Sequence, residues 1–170
     1  VVVLDARTGE ILAMANQPGY NLNDYRSSEP DARRNRSVAD TFEPGSSVKI
    51  FTVATGLMHG VIGPTQQLYC EKGTMQVDNV TIRDTHPSEW LKIADVLAIS
   101  SNICAAKVGL SLGGAKLYEG FRRFGFGEAA GLPSPGEASG TLRPRGRPWV
   151  QVETASAAFG QGIGVTNLQM

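Results

Sequence analysis

The chain has little with which to hold a metal. Its 170 residues include two cysteines and two histidines, with no Cys-x-x-Cys pair and no histidine-rich run. None of the common zinc spacings is present, and no cofactor is expected. Cys70 and Cys104 stand far apart; the sequence leaves a disulfide open, and two inert thiols are the expectation. Net charge is also missing, with 16 Lys and Arg against 16 Asp and Glu. That balance gives no electrostatic reason for a nucleic-acid partner or an anionic membrane surface. The densest positive run, Arg33, Arg34 and Arg36, reads as a solvated loop face. No apolar stretch approaches the ~18 residues of a membrane span, and no signal-peptide pattern opens the chain. What remains is 41% hydrophobic and 19% charged, an ordinary globular composition long enough for one domain with a core.

Both ends read as cut. Val1-Val2-Val3-Leu4 starts inside a strand-like run that should be buried, and Thr166 is placed to cap a helix just as the chain stops at Met170. The expectation is an internal piece of a larger protein.

Val1 to Asp5 and Glu10 to Ala15 form two strand-like runs around the turn Ala6-Arg7-Thr8-Gly9. A polar loop follows to about Asp40. Val48, Phe51, Thr52, Thr55 and Met58 then recur at helical spacing up to Gly60, which predicts a buried central helix. Tyr69 to Asp84 holds short β-type runs and reads as a small excursion hairpin. Ile93 to Ile99 is helical, broken at Ser100-Ser101-Asn102, and helical spacing resumes from Ile103 to Leu110. Gly113-Gly114 punctuates before a further amphipathic helix from Lys116 to Phe124. Gly125 to Pro148 is loop, with Pro133, Pro135, Pro144 and Pro148 barring a long helix, and Val150 to Phe159 is helical again. Helices outnumber strands and the strands sit near the start, so the pattern is α+β rather than alternating βαβ.

Two short constellations carry chemistry. In Phe42-Glu43-Pro44-Gly45-Ser46-Ser47-Val48-Lys49, a serine and a lysine lie three residues apart where a glycine turn enters the helix. That spacing puts both side chains on one helix face. A hydroxyl beside an amine is the minimal nucleophilic pair, provided the amine can lose its proton. The plainer reading makes Ser46 an N-cap. The second constellation, Ser100-x-Asn102, sits on a turn between apolar helices, where a hydroxyl and an amide could bond a lysine amine and a substrate peptide group. Here too capping is open, with Ser101 or Asn102 serving the helix from Ile103.

Taken together, the Ser-x-x-Lys and Ser-x-Asn elements resemble the penicillin-binding transpeptidases. The likeness runs along almost the whole chain. It includes the opening hairpin Val2 to Ala15, Asn35-Arg36-Ser37-Val38, Phe124-Gly125-Phe126-Gly127, Pro135-Gly136-Glu137, and Phe159-Gly160-Gln161-Gly162 with Val165-Thr166-Asn167-Leu168-Gln169. Glu43-Pro44 and the Phe-Gly-Phe-Gly stretch are closer to the class B septal cell-division branch. The family's third element, Lys-Thr-Gly, does not occur. In the family it lies beyond the point matching Met170.

The resemblance implies an α+β fold of the serine β-lactamase/transpeptidase type. That fold is an antiparallel sheet with a helical subdomain, truncated here before the Lys-Thr-Gly strand, with residues 1–170 the front and central part of one transpeptidase domain. It implies a D,D-transpeptidase that cross-links peptidoglycan stem peptides through an acyl-enzyme on Ser46. Lys49 would be the general base, its pKa lowered by desolvation and neighbouring donors. Ser100 would relay a proton to the leaving amine, and Asn102 would orient Lys49 and bind the substrate backbone. β-Lactam antibiotics would acylate the same serine, and divisome or elongation-complex proteins would be partners. The place implied is the periplasmic face of the cytoplasmic membrane, with the anchor outside this chain. A serine β-lactamase and a β-lactam sensor domain share Ser-x-x-Lys and remain alternatives. Lacking the Lys-Thr-Gly strand and an oxyanion donor from it, the 170-residue piece alone is expected to fold poorly and bind penicillin negligibly. His59, His86 and Glu43 are not expected to take part in catalysis, and Trp90 and Trp149 are expected to pack in cores or anchor loops.

Overall fold

A computed structural model describes residues 1–132, 136–142 and 147–170 of the protein. Pro133, Pro135 and Pro144, expected to interrupt any helix, lie outside the described residues. Strand β1 (Val2–Leu4) pairs antiparallel with β2 (Ile11–Met14), and Gly9 at φ +74° closes the turn. The first strand is not buried: Val3 is 45% exposed and Leu4 43%. A two-stranded ladder has two open edges, and no third strand joins it among the described residues. The hairpin is moored through Asn16, whose Oδ1 accepts from the Ser37 N–H at 3.1 Å. The polar segment that follows forms single 3₁₀ turns and the short helix α1 (Arg36–Ala39). Arg34 and Arg36 pair there with Asp31 and Asp40, as a solvated arginine face should.

Helices α2 (Lys49–Met58), α4 (Asn102–Arg123) and α5 (Gln151–Ala157) build the core. Val48, Thr52 and Thr55 point inward as the spacing predicts, and Phe51 meets Phe126 edge-on at 4.8 Å. Met58 does not; it is 56% exposed. At 100° per residue it has turned about 80° away from Val48, off the buried stripe. The helices approach closely because glycines line their contacts. A Cβ on Gly56 would stand 2.8 Å from Val108 Cγ1, and one on Gly120 would collide with Thr55. The first half of α4 is buried all round, with Ile103, Cys104, Ala105, Ala106 and Val108 fully covered. Gly113, at φ +74° and ψ +158°, breaks the helix where the Gly-Gly pair predicted.

Between α2 and α4 lies the excursion. Strand β3 (Gln67–Tyr69) pairs antiparallel with β6 (Trp90–Lys92), and between them β4 (Thr74–Val77) pairs with β5 (Val80–Arg83). The hairpin was expected; the β3–β6 pair was not. Four of the six strands among the described residues therefore lie mid-chain rather than near the start. Trp90 is not in a core but 61% exposed, its ring 5.2 Å from that of Tyr69. Trp149 does pack against the core edge, 6.1 Å from Tyr118. After β6 comes α3 (Ile93–Ala98), which delivers the chain to α4.

The cysteines correct the expectation of inert thiols. Cys70, just after β3, and Cys104, in the first turn of α4, form a disulfide across 34 residues of sequence, with Cα atoms 5.4 Å apart. The β3–β6 pairing explains this, because β6 runs directly into α3 and then α4, carrying the start of α4 back to the end of β3.

Candidate active site

A single 3₁₀ turn, Gly45–Val48, leads into α2. Gly45 sits at φ +55° and its N–H donates to the Gly160 carbonyl at 3.1 Å. Gly160 approaches so closely that a Cβ there would land on the Gly45 backbone. The Gly160-Gln161-Gly162 loop thus buttresses the turn from behind. Glu43 adds a second tie, its Oε1 accepting from the Gly162 N–H at 2.8 Å. Its carboxylate braces this junction.

Ser46 lies exposed on the turn, and neither the turn nor α2 has a side-chain cap. The capping role open to Ser46 on sequence is not the one it plays. Its Oγ stands 3.1 Å from Lys49 Nζ.

The other half of the site is the junction of α3 and α4. Ser100 has φ +61°, a left-handed conformation that costs a non-glycine residue about 1–2 kcal/mol. The bend turns both its oxygens toward Lys49, with the carbonyl at 2.6 Å and Oγ at 2.9 Å from Nζ. Ser101 is the N-cap of α4, its Oγ accepting from the Cys104 N–H at 3.0 Å. Asn102 Oδ1 accepts from Lys49 Nζ at 2.7 Å, while its Nδ2 donates to the Arg83 carbonyl at 3.0 Å. The two partners together fix which way the amide points.

Lys49 is 1% exposed, and burial lowers its pKa to about 8. The neighbours able to donate to the neutral amine are the hydroxyls of Ser46 and Ser100, and the Asp84 carboxylate opposes the shift by favouring the charged form. A neutral amine offers two hydrogens and one lone pair, so it can donate to the Ser100 carbonyl and Asn102 Oδ1 while accepting from a serine hydroxyl. With a pKa of about 8, roughly a tenth of the amine is neutral at pH 7. The arrangement can therefore move a proton between Ser46 Oγ, Nζ and Ser100 Oγ.

All four residues singled out on sequence, Ser46, Lys49, Ser100 and Asn102, converge on one nitrogen. His59 lies at the far end of α2 and His86 in an exposed loop. No group of three or more His, Cys, Asp or Glu side chains gathers to hold a metal among the described residues. Sequence reasoning missed Asp84, which follows β5 and takes hold of the start of α4. An acid at a strand end has no local signature, and the only hint was that the N–H groups at the start of α4 needed an acceptor.

The family model of the penicillin binding protein transpeptidase domain matches residues 1–170. Over 99% of its length the chain is 38% identical to the peptidoglycan D,D-transpeptidase FtsI of Escherichia coli K12, covering 28% of that protein. It is 36% identical over its whole length to the probable peptidoglycan D,D-transpeptidase PenA of Neisseria gonorrhoeae, covering 29% of it. The chain thus spans less than a third of these relatives. A crystal structure of a peptidoglycan glycosyltransferase from Burkholderia ambifaria matches with TM-score 0.86 and 32% identity, over 99% of this chain and 49% of that one. The apo transpeptidase domain of Burkholderia pseudomallei penicillin-binding protein 3 matches with TM-score 0.76 and 32% identity, over 80% of this chain and 41% of that one.

Proposed function

The chain belongs to the penicillin-binding protein transpeptidase family, and from that premise we propose that it carries the acylation centre of a peptidoglycan D,D-transpeptidase, with Ser46 as nucleophile. The carrying observation is the amine of Lys49, buried and within hydrogen-bond reach of Ser46 Oγ, Ser100 Oγ and Asn102 Oδ1 at once.

Neutral Lys49 takes the proton from Ser46 Oγ as that oxygen attacks the carbonyl carbon between the two terminal D-alanines of a stem peptide. The carbonyl oxygen becomes an oxyanion beside the start of α2, where free backbone N–H groups favour negative charge. When the oxyanion collapses, the C–N bond breaks and the proton on Lys49 passes through Ser100 to the leaving D-alanine nitrogen. The acyl-enzyme is an ester on Ser46. An amine from a neighbouring stem attacks it, loses a proton back through the same groups, and displaces Ser46 Oγ, leaving a cross-link. Asn102 holds Lys49 through Oδ1, and the second hydrogen on its Nδ2 is available to a substrate carbonyl. A β-lactam supplies a strained amide to the same serine and leaves a stable ester. On this reading the parent protein works at the periplasmic face of the cytoplasmic membrane, beside cell-division or elongation proteins, on the septal side by its Glu43-Pro44 and Phe124-Gly125-Phe126-Gly127 stretches.

The test is fluorescent-penicillin labelling of the intact protein, with the modified peptide mapped by mass spectrometry. One stable adduct on Ser46, absent from Ser46→Ala, is the expected result. An adduct elsewhere overturns the assignment, and rapid steady turnover of a chromogenic β-lactam points to a β-lactamase instead.

A further inference from the structure

The Ser-x-Asn turn does not hold its shape unaided. Ser100 is in a left-handed conformation, and α4 begins two residues later with backbone N–H groups that need acceptors. Asp84 supplies them. Its Oδ1 accepts from the N–H groups of Asn102 at 2.6 Å and Ile103 at 3.1 Å, and its Oδ2 accepts from Ser101 Oγ, also at 2.6 Å. Ser101 passes the restraint on by capping Cys104. The adjoining Arg83 carbonyl holds the Asn102 amide. The end of β5 therefore grips Asn102 by both backbone and side chain. Asp84 is itself anchored, its N–H donating to the Gly73 carbonyl at 3.2 Å.

We propose that Asp84 is a positioning residue for the acylation centre, fixing the start of α4 so that Ser100 and Asn102 close on Lys49 with the spacing proton transfer needs. A charge-assisted bond to two N–H groups and a hydroxyl is stronger than a neutral cap. It also sits at the positive end of α4, where a carboxylate is favoured. The carboxylate has a second consequence. Facing Lys49 are Ser46 from the turn before α2, Ser100 and Asn102 from the α3–α4 junction, and Asp84 from the end of β5. Asp84 is the charged member of that set, and its field favours the ammonium. The geometry it builds thus speeds the reaction while its charge restrains the base. The proposal deepens the acyl-transfer reading and rests on it for its kinetic readout alone.

Three variants of the intact protein separate these effects. Asp84→Ala removes every acceptor, and its Ser46 acylation rate with fluorescent penicillin should fall about a hundredfold, as misplaced catalytic groups typically cost. Ser101→Ala removes one link and should fall less. Asp84→Asn keeps a carbonyl for the helix N–H groups but loses the charge, so the midpoint of its rate–pH profile should move to lower pH. A purely structural role would leave that midpoint unmoved. The Lys49 midpoint is also read directly, from the ¹³Cε shift of labelled lysine across pH, in wild type and Asp84→Asn. A lower midpoint in Asp84→Asn supports the proposal, and an unchanged one overturns it. So does an Asp84→Ala protein that is acylated at the wild-type rate; if that variant does not fold, Asp84→Asn decides. A wild type that takes no penicillin would sink the acyl-transfer reading, while the lysine titration would still judge Asp84.

Discussion

At the start of α2 no side chain caps the helix, and the serine there stands exposed with its oxygen on an amine. At the start of α4 the chain is tied down residue by residue: Ser101, Asn102 and Ile103 to Asp84, Cys104 to Ser101 and through its sulfur to Cys70. Both starts carry serines, and sequence alone gives them the same two roles. The contrast shows how the fold divides those roles. A reactive hydroxyl must be free of the backbone, so the restraint needed to aim the site is concentrated on the opposite wall. On the proposed reading, a rigid acceptor set aims the site at a hydroxyl left free of the backbone.

The sharpest break in that contrast is Ser46→Ala. Acylation should drop by about 10⁴-fold or more, while stability stays within about 0.5 kcal/mol of wild type because the hydroxyl caps nothing. Penicillin labelling and urea unfolding of one preparation check both halves. Next in size is the covalent tie. Replacing both Cys70 and Cys104 with serine opens a loop closed over a sequence separation of 34, worth about 4 kcal/mol by chain entropy. The urea midpoint should fall accordingly, and an unchanged midpoint would mean the bridge contributes nothing. Ser101→Ala should cost about 1–2 kcal/mol, several times the cost of Ser46→Ala. Equal costs would erase the distinction between the two helix starts.

A separate effect is a pH dependence of stability. The folded pKa of Lys49 is depressed to about 8 from 10.5, so between those values the unfolded chain binds more protons. Stability from this group should rise with pH through that window. Below about 8 the amine is charged in both states and its burial cost is borne in full. Lys49→Met should remove that rise, which urea midpoints at pH 7.5 and pH 10 would show.

Local pattern revealed what local pattern determines. Ser46 and Lys49 share a face because three residues is nearly a helical turn, and Gly113 marked its own break. Ser100 and Asn102 could be tied to Lys49 only through the family resemblance, since the bond to Ser100 spans 51 residues of chain. Where partners are set by the path of the fold, the sequence was mute. Cys70 meets Cys104 only because β3 pairs with β6, and three-residue strands carry too little alternation to predict. The function of Asp84 depends on β5 ending beside α4, which no spacing encodes. The run Val1-Val2-Val3-Leu4 looks buried because a strand pattern records apolar character, not whether a neighbour covers it.

The most direct test of the central claim, that a buried and readily neutralised Lys49 serves Ser46, is the pH dependence of Ser46 acylation in the intact protein. The rate should climb about tenfold per pH unit on the acid side and level off near pH 8. A profile that is flat from pH 6 to 9, or one that keeps rising to the ordinary lysine value, would contradict it.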